Sequence, residues 1–207
     1  MEALYIVSTP IGNLEDLSPR AQKILDSASL VLCEDTRRTS KLTTNKLLRF
    51  DEYTEERLIP EVLTHKTVAL VSDAGTPLIS DPGYKLVSEC IKRGIPVVSI
   101  PGPSALLAAL TSSGLPTNHF TFLGYPPEKQ SHRIRLFGSL PKDLTIIFYV
   151  APHKLQQTLL DLKQSLGDID IVIARELTKI HEEIWRGKLS EAQLRDFKGE
   201  LVILFHL

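Results

Sequence analysis

Short runs rich in β-branched and apolar residues recur along the chain: LYIVS from Leu4, LVLC from Leu30, TVALVS from Thr67 and PVVSIPG from Pro96, then FTFLG, TIIFYV, IVIARE and LVILF. Amphipathic stretches of helical length lie between most of them. This alternation predicts α/β units built on a largely parallel sheet. Runs such as VALV and PVVSI are apolar almost without a break, which predicts strands covered by helices on both faces. Helix starts are marked at Ser18-Pro19 and Asp81-Pro82, each a capping side chain followed by proline, and Pro103-Ser104 is placed to open a helix through Leu110.

Between Gly114 and Pro127 the rhythm changes to GLPTNHFTFLGYPP, dense in glycine, proline and turn residues, and this segment reads as a hinge between two lobes. The expected lobes are residues 1–115, with a mostly parallel sheet, and 116–207. In the second lobe, helices are expected around Pro152 to Leu166 and Ser190 to Phe197, and HEEIWRG from His181 reads as an antiparallel strand, so that sheet is expected to be mixed. No internal repeat or low-complexity tract interrupts the pattern.

Composition narrows the functional classes. The 207 residues include 43% hydrophobic and 24% charged ones, ordinary for a globular chain that folds without covalent staples. Cys33 and Cys90 each sit in an apolar run, so they read as core thiols, and no zinc-type spacing occurs. The first residues enter a strand directly, with no basic leader, and no stretch approaches the roughly 18 apolar residues of a membrane span, so a cytoplasmic location is expected. With 24 basic against 25 acidic residues the net charge is −1. A nucleic-acid partner would therefore have to be held by a local basic patch.

Ligands of open α/β sheets gather at the carboxyl ends of the strands, which directs attention to four loops: TPIGNLEDLSP, EDTRRT, DAGTPLISDPG and PGPSA. All are rich in small residues that let a ligand approach the backbone. None is a phosphate signature, since GxGxxG and GxxxxGK[ST] are both missing. Asp73 directly follows a strand, where its carboxylate could accept from a ligand amine or hydroxyl; an Asx-turn, with Asp81 as a helix cap, explains the same loop without a ligand. In CEDTRRTSK, Glu34 and Asp35 lie beside Arg37, Arg38 and Lys41. Such a run is either a solvated charged turn or a site that grips phosphates while a carboxylate handles a proton. His153 reads as a surface or capping group, and Arg175-Glu176 as a strand-end pair that is either functional or an internal ion pair.

Taken in order, the segments LYIVSTPIGNLEDLSPRA, CEDTRRT, VALVSDAGTPLISDPGYKLV, PGPSALLAAL, LTIIFYVAPHKL, VIARELTKIHEE and KGELVIL resemble the tetrapyrrole-methylase superfamily. The resemblance is nearest to its branch of ribosomal RNA small-subunit 2′-O-methyltransferases of class I, which modify a cytidine in the decoding region. It implies a two-lobed subunit of a homodimer, S-adenosyl-L-methionine as cofactor, folded into the cleft between the lobes, and ribosomal RNA or the 30S subunit as substrate. By the same resemblance Pro10, Asp73, Gly75, Ser104, Ala105, Tyr149 and Ala174 contribute to the cofactor site. Three departures bear on the RNA target rather than on fold or cofactor. The interval from Thr39 to Asp73 is several residues shorter than usual in the family, FYVAPHK replaces the common FYESPHR at Val150 and Lys154, and the chain lacks a further C-terminal extension.

Methyl transfer to a hydroxyl oxygen needs alignment of the reacting centres and a group to take the proton. Glu34 or Asp35 is expected in that role with Glu176 in reserve, Arg37, Arg38 and Lys41 are expected to hold RNA phosphates, and no metal is required. Methylation of a tetrapyrrole or another small acceptor, and a non-catalytic cofactor-binding dimer, are the competing readings.

Overall fold

The computed structural model describes residues 1–207, and they divide into two compact units, Met1–Ser104 and Ala105–Leu207. No helix is long and apolar enough to cross a membrane.

The first unit holds strands β1 (Ala3–Val7), β2 (Leu30–Cys33), β3 (Leu47–Arg49), β4 (Thr67–Leu70) and β5 (Val97–Ile100) in one sheet of order β3-β2-β4-β1-β5. Every pairing is parallel. The connecting helices are α1 (Pro19–Ser27), the short α2 (Thr36–Thr39), α3 (Glu55–Val62) and α4 (Tyr84–Lys92). Alternation within the strands supplies two cores. Leu4, Leu30, Leu32, Val68 and Leu70 pack with Leu58, Val62, Leu86 and Cys90 of α3 and α4. Val7, Val31, Cys33 and Ala69 pack with Ala21 and Leu25 of α1 on the opposite face. Both cysteines are buried and free.

Two sequence expectations fail here. β5 is an edge strand with Val98 and Ser99 exposed, so its apolar run is not covered on both faces. Asp81-Pro82 does not start a helix: α4 begins at Tyr84 behind Gly83, whose φ of 127° a side chain rarely adopts. A Cβ on Gly83 would also lie 2.5 Å from Leu70 Cδ2. The Ser18-Pro19 signal holds, with Ser18 Oγ accepting from the Ala21 amide at 3.1 Å to cap α1.

The second unit is built on β6 (Phe120–Phe122), β7 (Thr145–Val150), β8 (Asp170–Arg175), β9 (Glu183–Lys188) and β10 (Leu201–His206), in the order β6-β7-β10-β8-β9. Only β6 and β7 run parallel, and the HEEIWRG run does form the antiparallel edge strand β9, so the sheet is mixed as expected. Ile146, Phe148, Val150, Ile171, Ile173, Ile203 and Phe205 face a core closed by α6 (Gln130–Gly138), α7 (Leu155–Leu166) and α8 (Leu189–Ala192). Helix α5 (Ala105–Ser113) packs on β7 to β10 within this unit. It runs three residues beyond the expected Leu110, whereas the stretch expected as a helix around Ser190 to Phe197 is helical only through Ala192.

Candidate functional site

Because all five strands of the first sheet are parallel, their carboxyl ends lie along one edge, and the loops after β1, β2, β4 and β5 meet there. Their backbones are joined directly. The Thr9 and Gly75 amides each donate to the other's carbonyl, at 2.9 and 3.0 Å, which ties the loop carrying Pro10 to the loop after β4. Gly75 sits at φ 88°, and a Cβ there would meet Ile11 Cγ2 at 3.2 Å, so this approach requires glycine. Hydroxyl groups extend the lattice. Ser8 Oγ donates to Thr76 Oγ1 at 3.1 Å, and Thr76 Oγ1 donates to the Pro103 carbonyl at 3.0 Å, one residue before Ser104. Ser72 Oγ donates to the Gly75 carbonyl at 3.1 Å.

The charged turn after β2 joins the same lattice. Asp73 Oδ1 accepts from the Asp35 amide at 2.9 Å, and Asp73 Oδ2 lies 3.6 Å from Arg38 Nε. Asp35 caps α2 by accepting from the Arg37 amide at 2.9 Å, and it also receives the Arg37 guanidinium at 2.7 Å. These bonds hold the Asp35 pKa down at about 2, so it is a poor proton acceptor at neutral pH. Glu34 behaves in the opposite way: burial, then the neighbouring Asp73 carboxylate, pushes its pKa above the ordinary range. Asp81 turns back from its loop into this group, where burial and the Glu34 and Asp73 charges push it up to about 7. Arg37, Arg38 and Lys41 are exposed along α2 and just beyond it.

In the second unit, Tyr149 of β7 and Ala174 of β8 both pair with Val202 of the strand between them, so they share one row and one face of the sheet. Tyr149 packs edge-on against Phe122 and Tyr125, at centroid distances of 4.7 and 5.7 Å. Ala105 is the first residue of α5. Glu176 is engaged in local structure: Oε1 accepts from the Glu200 amide at 2.7 Å and from Lys179 Nζ at 3.0 Å, and the first of these bonds leads in lowering its pKa. Val150 is buried in the core, and Lys154 Nζ pairs with Glu128 Oε2 at 2.7 Å. No group of three or more His, Cys, Asp or Glu is placed to hold a metal ion.

The hydroxyl lattice and the inward turn of Asp81 were missed in the sequence. The density of small polar residues in SDAGTPLISDPG is the signal that would have found them.

The sequence pattern of the tetrapyrrole (corrin/porphyrin) methylases matches residues 3–193. Proteins named ribosomal RNA small subunit methyltransferase I are similar to the chain. The one from Thermotoga maritima is 49% identical, over 93% of this chain and 90% of its own length. The one from Halalkalibacterium halodurans is 48% identical, over 97% and 74% respectively. Among solved structures, diphthine synthase matches with a TM-score of 0.76 at 16% identity, over 99% of this chain and 90% of its own. Uroporphyrin-III C-methyltransferase from Thermus thermophilus, complexed with S-adenosylhomocysteine, matches at 0.71 and 21% identity, over 98% and 96%. At those identities the structural matches speak for the fold, and the sequence matches carry the assignment: the chain belongs to the tetrapyrrole methylase family and, within it, to the ribosomal RNA small subunit methyltransferase I proteins.

Proposed function

We propose that this chain is an S-adenosyl-L-methionine-dependent methyltransferase that methylates the ribose 2′-hydroxyl of a decoding-region cytidine in 16S ribosomal RNA, working in the cytoplasm as a homodimer. The observation that carries the reading is the turn after β2, where exposed Arg37, Arg38 and Lys41 flank Glu34, a carboxylate whose pKa is raised, at the ligand-binding edge of a parallel sheet. The methyl donor, when bound, supplies an electrophilic methyl group on a sulfonium. The residues present suit such a molecule. Asp73 offers a half-buried carboxylate for a hydroxyl or amine, and Pro10, Gly75 and Ser104 belong to the loops that meet beside it. Ala105, Tyr149 and Ala174 are the proposed contacts from the second unit.

The rest of the chemistry belongs to the chain. Arg37, Arg38 and Lys41 hold phosphates and orient the RNA, so that the hydroxyl meets the methyl group in line. Glu34 accepts the hydroxyl proton. Of the three expected carboxylates it is the one whose surroundings raise its affinity for a proton, while hydrogen bonds from Arg37 hold Asp35 ionised and those from the Glu200 amide and Lys179 do the same for Glu176.

Purified protein incubated with labelled cofactor and 30S particles, bare 16S RNA or uroporphyrinogen tests the reading. Label should appear on RNA ribose, and light scattering of the same preparation should give a dimer mass. Label on the tetrapyrrole alone would replace this function with small-acceptor methylation, and label on none of the three would favour a non-catalytic module.

A further inference from the structure

At the carboxyl end of β7 the second unit has a pocket of about 100 Å³ whose walls include Tyr125, Pro127, Val150, His153 and Lys154. Cavities that enclose a whole cofactor-sized ligand run to roughly 300–1,000 Å³, so this one suits a single flat or tetrahedral group. Its walls are held in place. Arg133 is 5% exposed, and its Nη1 donates to the carbonyls of Pro127 and Glu128 at 3.0 and 2.7 Å, pinning the turn that forms one side. Asp161, buried beneath it, accepts from Arg133 Nε at 2.8 Å and from the Gln130 and Gln157 amides at 2.8 and 3.0 Å. A buried ion pair with its remaining lone pairs satisfied is a rigid support.

The groups presented at the pocket are of two kinds. Tyr125 is 59% exposed although its ring is braced edge-on by Tyr149. A braced and exposed ring is what a base needs to stack on, and unpaired RNA presents such bases. Lys154 reaches Glu128 in a solvent-exposed pair of little net stability, which a phosphate can displace. Exposed His153 lies beside it, and α6 begins nearby with no acidic residue in its first turn and with exposed Lys129 and His132.

We propose that this pocket holds one phosphate of a single-stranded RNA segment flanking the methylated position, at Lys154 beside His153, while the base of that nucleotide stacks outside it on the exposed ring of Tyr125. The proposal rests on RNA being the substrate. Tyr149, the proposed cofactor contact, braces the stacking ring, so base binding and the methyl-donor site share a structural support.

Fluorescence anisotropy with a labelled single-stranded oligoribonucleotide tests this on the full chain. Tyr125→Ala should weaken binding about tenfold or more, Tyr125→Phe should restore it because stacking needs the ring alone, and Lys154→Ala should lower the salt slope by about one. Melting curves and calorimetry with S-adenosylhomocysteine accompany each variant to show that fold and cofactor affinity persist. The pocket is ruled out if Tyr125→Ala binds RNA within twofold of the parent, if it loses S-adenosylhomocysteine rather than RNA, or if the parent binds no oligonucleotide. The two proposals fail separately. Tyr125-dependent RNA binding without methylation of 30S particles or 16S RNA sinks the proposed function and keeps the pocket, whereas normal binding and methylation by Tyr125→Ala does the reverse.

Discussion

Asp81 lies in a strand-end loop where burial, and then the Glu34 charge, push its pKa up to about 7, far above the ordinary value of 3.8. A carboxyl group whose folded-state pKa exceeds its unfolded one favours the fold while protonated. That contribution is complete below about pH 4 and is lost as pH rises through about 7. Above neutrality the ionised Asp81 opposes Glu34 and Asp73, and Asp81→Asn removes the opposition while keeping the shape. The variant should be more stable than the parent at pH 8 by about 1–2 kcal/mol after allowing for partial exposure, and so melt higher, and the advantage should vanish near pH 4. Thermal melts across that range check it, and an equal melting temperature at pH 8 would show that Asp81 is solvated. Asp35 shows how local the control is: one residue from Glu34, it is driven the other way by the Arg37 guanidinium.

At the scale of elements, α1 begins where the sequence marked it because Ser18 supplies the acceptor that the first-turn amides need and Pro19 occupies a position whose amide would have gone unpaired. Ser18→Ala should cost about 1 kcal/mol in urea unfolding with an unchanged m-value. A loss below about 0.3 kcal/mol would mean that water replaces the cap. Asp81-Pro82 carries the same sequence signal, yet α4 starts two residues later, since the Asp81 side chain turns to Ser72 and the carboxylates instead of capping. A capping residue type marks a helix start only where no stronger partner competes for its side chain.

For the whole molecule, a net charge of −1 gives no general attraction to RNA, so binding must come from a few placed cations. Arg37 and Arg38 pair with Asp35 and Asp73 at the surface, the Arg37 side chain being 88% exposed, and such pairs add little to stability. The double variant Arg37→Ala with Arg38→Ala should keep its melting temperature within a few degrees while RNA methylation falls at least about tenfold. Added salt should weaken RNA binding of the parent more steeply than that of the variant, because the variant releases fewer counterions. Normal methylation of 30S particles by the variant would make this loop a solvated turn, and unfolding would make it a structural network.

Most strands were legible in the residues because burial of both faces forces long apolar runs, and the HEEIWRG run stood out as an antiparallel strand of a mixed second sheet. The sequence also marked the small-residue loops that meet at the carboxyl edge of the first sheet, since they follow its parallel strands directly. β3 was not legible: LLR is three residues long, and its partners come only with the sheet. The exposure of Val98 on β5 was equally hidden, because an apolar residue reads the same at an edge as at a centre. Tertiary structure decided the proton affinities of Glu34 and Asp81, whereas that of Asp35 follows from Arg37 two residues along the chain. Glu34 and Asp81 have ordinary carboxyl chemistry, and what raises them is burial beside carboxylates brought in from other loops, Asp73 reaching the turn after β2 across a sequence gap of 38 residues to accept from the Asp35 amide. Proton affinity depends on through-space distance and burial, and a linear pattern of residues encodes neither until the strands bring their ends together.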